Sequence, residues 1–330
     1  LISLYFVPWP LLKASLEPLP QTIQSQVDKA KEYGFEGMIV YIDQARKDPQ
    51  FYTSGYKNRE TKSPANPHDL FKIASIGKLY TAFAICRLAY DEKLDLNQSL
   101  AQYFPEHKGR IENMEEITIE MLVKHRSGIP DYTRTADYWS HPKQTDEERL
   151  ALVLDQTAHF KPNTDFEYSN TNYLLLSQLI EKVSGKSKFE FLKEELLQPL
   201  NLNNTFGSIK SVDLNNVMSG YYVGYDLDLK TDDNGSLLAT AEDLGRFIRA
   251  LNDGRAFKSE EERALYHSLY RLNHTGMIPG YQSTAHYFQE LDAVVVQFTN
   301  TADFNAYHWS FHEIMFNRIV KILKAKVKSE

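Results

Sequence analysis

Hydrophobic and polar positions alternate along this chain in two rhythms, one helical and one extended. Ile23, Val27 and Ala30 recur at helical spacing over residues 21–33, and Gly34 supplies a stop. Residues 38–42 (Met-Ile-Val-Tyr-Ile) form an unbroken apolar run of strand length, and residues 51–56 predict a second strand after a loop through Lys47, Asp48 and Pro49. Polar residues and two prolines mark 57–69 as a connection. Ile76, Leu79, Tyr80 and Phe83 then follow the i, i+3, i+4, i+7 pattern of a helix running on through Leu88.

From 90 to 235 the rhythm is mostly helical. Thr118 starts a short helix ending near His125, and Ser127-Gly128-Ile129-Pro130 breaks it. Thr145 and Glu148 predict a capping box for a helix reaching Gln156. Helices follow over 172–183, closed by Gly185, and over 189–197, closed by Pro199. Thr240 caps a helix through Leu251, and Ser259 with Glu262 predicts one more capping box. The end of the chain changes character: residues 281–288 and 293–299 are β-rich and four residues apart, which predicts an antiparallel hairpin, and 308–327 reads as a long final helix.

Strands at both ends with helices between predict an α/β (α+β) fold. Its central antiparallel sheet is built from both termini and flanked by helices, with an all-α domain inserted. The expected division is 1–74 with 236–330 as the sheet domain and 75–235 as the mainly helical one, with the active site at their interface.

Composition narrows the function. A chain of 330 residues with 42% hydrophobic and 25% charged positions has the make-up of an ordinary globular protein with room for two domains. Its net charge of −7, with Lys and Arg scattered, is not a nucleic-acid footprint. The basic residues Lys321, Lys324, Lys326 and Lys328 alternate with apolar ones and read as the solvated face of the final helix. With one cysteine there is no internal disulfide and no cysteine metal framework, and Cys86 sits among Ala84, Ile85 and Leu88 as a small core residue. No run approaches the ~18 apolar residues of a membrane span. Leu1 to Val7 are apolar but broken by Pro8 and Pro10, and read as the remnant of a clipped export signal or as an ordered arm; the former would place the protein outside the cytoplasm, in the periplasm or secreted.

Three short motifs carry chemistry. Ser75-Ile-Gly-Lys78 opens the periodic helix, so the lysine lies one turn above the serine. A helix N-terminus favours developing negative charge, and a desolvated amine can take the proton from a hydroxyl that is otherwise a poor nucleophile. Tyr168-Ser169-Asn170 immediately precedes a helix and falls on a turn. A phenol beside a lysine can act as acid or base, and an asparagine amide can both donate and accept. His274-Thr275-Gly276 closes a β-like run, where the glycine admits a substrate to the backbone and the Met277 N–H can serve as an oxyanion donor. Each motif has a decoy: Ser54-Gly-Tyr-Lys57, Tyr56-Lys-Asn58 and His107-Lys-Gly109 match the same patterns but lie in a strand or polar loops and form no ordered set.

The three motifs, their order and their settings resemble the serine β-lactamases and penicillin-recognising enzymes, in particular the class C-like branch with its esterases, D-aminopeptidases and D-alanyl-D-alanine carboxypeptidases. The segments LFKIASIGKLYTAFAICRLAYDEKLDLNQSLAQYFPE, ITIEMLVKHRSGIPDY, FEYSNTNYLLLSQLIEKVSG and SLLATAEDLGRFIRAL extend the likeness over roughly residues 20 to 325. The resemblance implies a β-lactamase/transpeptidase-like fold and a serine hydrolase that cleaves an ester or amide through an acyl-serine, without metal or cofactor. Its substrate would be a small molecule or peptide. Carried over, Ser75 is the nucleophile, Lys78 its base, and Tyr168 the group that shares proton traffic and protonates the leaving group. Asn170 holds the substrate amide or the lysine, and the N–H groups of Ser75 and Met277 form the oxyanion hole. His274 stands where many relatives carry lysine, which removes a fixed cation and points toward esterase or peptidase chemistry over lactam hydrolysis. The interval from Asn170 to His274 is short beside class C β-lactamases, implying a more open cleft. The alternatives are a non-catalytic ligand sensor or scaffold of the same fold, or a weak class C-like β-lactamase.

Other candidates carry less. His308 and His312 share a helix face with no third ligand in frame, and read as a structural pair. Asp226, Asp228, Asp232 and Asp233 lack the ligand spacing of a calcium loop and read as a hairpin turn. Tyr132, Tyr138 and Trp139, after the Gly128 break, are candidate cleft-lining aromatics.

Overall fold

The computed structural model describes residues 8–45, 47–143, 145–304 and 307–329. The arm or signal remnant expected at Leu1 to Val7 lies outside them, as does the side chain of Lys328. The chain forms two compact units: residues 1–76, 204–252 and 273–330 make the first, and 77–203 with 253–272 the second. The division expected at 235 therefore falls elsewhere, and each unit takes back a segment from beyond it.

The first unit is organised on a six-stranded antiparallel sheet. Its strands run in the order Ser63–Pro64, Gln50–Asn58, Gly37–Gln44, Ala293–Thr299, Tyr281–Phe288, His274–Ile278. The sheet thus comes from both ends of the chain, and the predicted hairpin closes with Ala293 opposite Phe288. Both central strands are buried on both faces, which is why Met38–Ile42 and Ala293–Val296 read as unbroken apolar runs instead of alternating. On one face Met38, Val40, Ile42 and Val295 pack with Ile23, Val27, Met315 and Ile319, the last two from the terminal helix Tyr307–Ser329. On the other, the helix Ala241–Asp253 meets the sheet at Gly245, where a Cβ would lie 2.2 Å from the Tyr41 ring.

A second, three-stranded sheet joins Phe71–Lys72, Leu238–Ala239 and Thr205–Phe206, and this pairing draws residues 204–252 into the first unit. His274 opens its strand where the sequence pattern had it closing one.

The second unit is mainly helical. Its central helix, Gly77–Tyr90, is buried from Lys78 to Leu88, and Leu175, Leu176, Leu179 and Ile180 bury the apolar face of Asn170–Ser184. Arg87 is almost wholly enclosed and pairs with the fully buried Glu262 at 2.5 Å, with Glu195 and the Ala256 carbonyl completing its donors. Removing either member of such a pair leaves an uncompensated buried charge and costs about 3–5 kcal/mol. This pair explains a difference from the pattern. Thr145 and Glu148 form the full capping box, but at Ser259 only half forms, because the Glu262 carboxylate is taken by Arg87 and by the Lys258 N–H. No helix among the described residues is long and apolar enough to cross a membrane.

Candidate active site

Each unit holds its own group of the residues singled out by the motifs. In the first, Ser75 is the middle residue of a single 3₁₀ turn, Ala74–Ile76, that leads directly into the helix beginning at Gly77. The turn is a strained entry: Ala74 has φ +51°, a left-handed backbone uncommon for a residue with a Cβ. It is held from three sides. The Ile73 N–H donates to the Leu237 carbonyl, the Ala74 N–H to Ser236 Oγ at 2.9 Å, and Ser283 Oγ donates to the Ile73 carbonyl at 3.0 Å.

Ser283 pairs with Gly276 across the sheet edge, and the Gly276 position explains the glycine of the third motif. A Cβ there would lie 2.4 Å from the Ile73 carbonyl oxygen and 3.0 Å from the Ala74 Cβ. Glycine lets the edge strand lie flat against the turn that carries Ser75. Thr275 is exposed, Met277 is half-buried, and His274 is buried with its Nδ1 donating to the Thr275 carbonyl. The structure thus brings Ser75 and the 274–277 strand together within one unit.

In the second unit, Lys78 is 8% exposed, which is unusual for a lysine. Its Nζ donates to Asn170 Oδ1 at 2.7 Å and lies 4.8 Å from the Tyr168 ring centroid and 5.5 Å from that of Tyr173. Burial pushes the Tyr173 and Tyr270 phenols up, so neither supplies a competing anion. Asn170 is the first residue of its helix, after Ser169 at the N-cap. Its Nδ2 donates to Asp131 Oδ2 at 2.9 Å and to Thr133 Oγ1 at 3.1 Å, so both donors of that amide are used while its oxygen accepts from Lys78. The Tyr168 hydroxyl is buried. Lys78, Tyr168 and Asn170, spread over 92 residues of sequence, are therefore neighbours.

Three residues of this neighbourhood were not singled out by sequence reasoning: His125, Asp131 and Thr133. The His125 ring stacks on Tyr168 (centroids 4.6 Å apart) and on Tyr173 (5.0 Å), and its Nδ1 accepts the Ser169 N–H. The available signal was the Ser127–Pro130 break, which flags an ordered turn without saying what it supports. Tyr138 packs edge-to-face on both Tyr132 and Trp139. The decoys go elsewhere: Lys57 pairs with Asp69, and His107 stacks on Phe104. His312 is fully buried between Thr284 and Thr299, while His308 meets Asp303. Among the described residues no group of three or more His, Cys, Asp or Glu side chains is placed to hold a metal ion.

The arrangement offers a hydroxyl on a strained turn beside a strand edge, and an enclosed amine three residues on in sequence. Comparison with known proteins places the chain in a family. Protein flp of Staphylococcus aureus (strain N315) is 28% identical over 255 residues, covering 72% of this chain and 50% of that protein. The chain thus spans about half the length of this curated relative. A D-amino acid amidase from Ochrobactrum anthropi SV3, solved with D-phenylalanine, shares the fold at a TM-score of 0.81 and 21% identity, over 96% of this chain and 99% of that one. A penicillin binding protein from Bacillus halodurans does so at 0.74 and 20%, over 88% and 99%. The Beta-lactamase family model matches residues 19–309, nearly the whole chain, and the protein belongs to the Beta-lactamase family.

Proposed function

We propose that this protein is a serine hydrolase that cleaves an ester or amide bond through an acyl-serine, with Ser75 as nucleophile and Lys78 as its base. The observation that carries the reading is the enclosure of Lys78, held by Asn170 Oδ1 at 2.7 Å beneath the Tyr168 ring. Asn170 Oδ1 and the Tyr168 ring hold the amine in one orientation, which suits a group that must exchange a proton at a defined point.

Attack by Ser75 Oγ on the carbonyl passes its proton to Lys78 Nζ and forms a tetrahedral intermediate. The N–H groups of Ser75 and Met277 receive the negative oxygen, each such donor being worth about 3 kcal/mol of barrier. Tyr168 relays the proton to the leaving group, and water then cleaves the acyl-serine by the same route in reverse.

His274 stands where many relatives carry lysine, and its Nδ1 is spent on the Thr275 carbonyl, so that ring nitrogen is not available to a substrate carboxylate. That favours esters and amides, including amides of D-amino acids such as the amidase relative's name implies, over β-lactams. The reading extends to a location outside the cytoplasm, which cell fractionation checks.

The test is labelling with a fluorophosphonate probe together with turnover of p-nitrophenyl acetate. Labelling at Ser75 and a drop of at least about a thousandfold in kcat for Ser75→Ala are expected. Labelling without turnover would instead mark a ligand sensor. A panel of D-amino-acid amides, D-alanyl-D-alanine peptides, short esters and a chromogenic cephalosporin then ranks the substrates.

A further inference from the structure

Asn170 has one orientation in which both of its N–H donors meet acceptors and its oxygen meets Lys78, and what imposes it lies outside the three motifs. Its amide sits between Lys78 Nζ on one side and Asp131 Oδ2 with Thr133 Oγ1 on the other. A hydroxyl such as that of Thr133 can donate or accept, so it tolerates either orientation of the amide. A protonated lysine demands the amide oxygen, but a neutral lysine can accept and would tolerate the amide nitrogen as well. Only the carboxylate is an acceptor under both conditions, and reversing the amide would set Asn170 Oδ1 against Asp131 Oδ2.

We propose that Asp131 is a positioning residue for acyl transfer: it locks the Asn170 amide so that Oδ1 faces Lys78 whether or not the lysine carries its proton. The inference rests on the hydrolase reading above. Asp131 is 5% exposed, and its other oxygen accepts the Thr133 N–H at 3.0 Å, so both carboxylate oxygens are committed to neutral N–H donors. An asparagine at this position could satisfy one of those donors but not both, since its own NH₂ would face either Thr133 N or Asn170 Nδ2. The site therefore calls for a carboxylate and not merely for a side chain of that shape.

The loop does not depend on Asp131 for its place. Thr171 Oγ1 donates to the Pro130 carbonyl at 2.7 Å and accepts the Tyr132 N–H at 3.0 Å, while Ser127 Oγ donates to Asn172 Oδ1 at 2.8 Å. Residues 127–132 are thus fastened to the first turn of the Asn170–Ser184 helix on both sides of Asp131. A substitution at 131 changes what Asn170 meets while those fastenings remain.

The test compares wild type, Asp131→Asn and Asp131→Leu in p-nitrophenyl acetate turnover, with competent sites counted by fluorophosphonate titration. Both variants are expected to lose kcat per titrated site by about ten- to a hundredfold, the size of a lost charge-assisted hydrogen bond, with KM changed by less than about threefold. If Asp131→Asn keeps the wild-type kcat per site, or if the variants lose only the number of competent sites, Asp131 is structural and the proposal falls. A wild-type chain that neither labels nor turns over would overturn the hydrolase reading and this inference with it. Wild-type activity with unaffected variants overturns the inference alone.

Discussion

The imidazole of His125 is the support on which the Tyr168 phenol rests, and it fixes that ring in two ways. Its face stacks on Tyr168, and its backbone carbonyl and Nδ1 accept the Glu167 and Ser169 N–H groups that flank the tyrosine. His125 itself adopts φ +57°, a left-handed conformation that asparagine also tolerates. His125→Asn is therefore expected to keep an acceptor and the backbone but lose the stack. Steady-state kinetics should show kcat down about tenfold, with urea unfolding placing the stability loss at about 2 kcal/mol. Unchanged kcat would mean that Tyr168 is held without the ring.

The same residues mark what was legible at this scale. Ser75, Lys78, Tyr168 and Asn170 stand in short motifs whose spacing is local. His125, Asp131 and Thr133 act on partners some forty residues away, and nothing in their own neighbourhood announces it.

Elements were readable where their signals are local and their caps unopposed. Gly185 closes the Asn170–Ser184 helix at φ +71°, and Gly34 ends its own segment at φ +85°. The helical rhythm at 21–33 does become helix, but α-helical only over Ile23–Val27, with 3₁₀ turns over Asp28–Tyr33. The rhythm at 189–197 likewise splits into Lys188–Leu192 and a π turn over Lys193–Leu197. Hydrophobic spacing cannot separate these hydrogen-bonding patterns, because packing selects among them.

The terminal helix carries a further consequence. His312 faces the sheet with Nε2 against Thr284 Oγ1 (2.9 Å) and Nδ1 against Thr299 Oγ1 (2.8 Å), and burial pushes it down to about 3. The unfolded chain takes up this proton near pH 6.5 while the folded chain resists it. Stability is thus fully present above about pH 6.5 and is lost as pH falls toward 3. Between pH 7 and 4.5 this group should remove about 2–3 kcal/mol. Denaturant titrations at the two pH values should show that loss in wild type and a smaller one in His312→Gln; equal losses would assign the acid sensitivity elsewhere.

For the whole molecule, the pattern of strands at both ends foretold a sheet assembled from the termini, and that arrangement requires the ends of the chain to be secured. The segment boundaries were less visible. The helix Glu260–Leu269 joins the second unit through a buried carboxylate whose partner, Arg87, lies 175 residues away, and no local pattern encodes that pairing. Arg318 secures the termini of the first unit. It is 3% exposed and donates from the terminal helix to Gln26 Oε1 (2.8 Å) and to the carbonyls of Ala14, Glu17 and Pro18 (3.2, 2.8 and 2.9 Å). Gln26 and Ala14 are buried and the other two contacts partly so, and deleting the guanidinium takes the donor from all four acceptors at once. Arg318→Met keeps the aliphatic stem and loses the donors; it should cost about 3 kcal/mol in urea unfolding. It should also raise proteolysis of the segment before Gln26 under native conditions, because Ala14, Glu17 and Pro18 are the carbonyls released. Ester turnover per titrated site should stay at the wild-type level, since neither Ser75 nor Lys78 is among its partners. A variant with native stability and protease resistance would show that hydrophobic packing of Ala14, Ile23 and Val27 alone secures the amino-terminal segment.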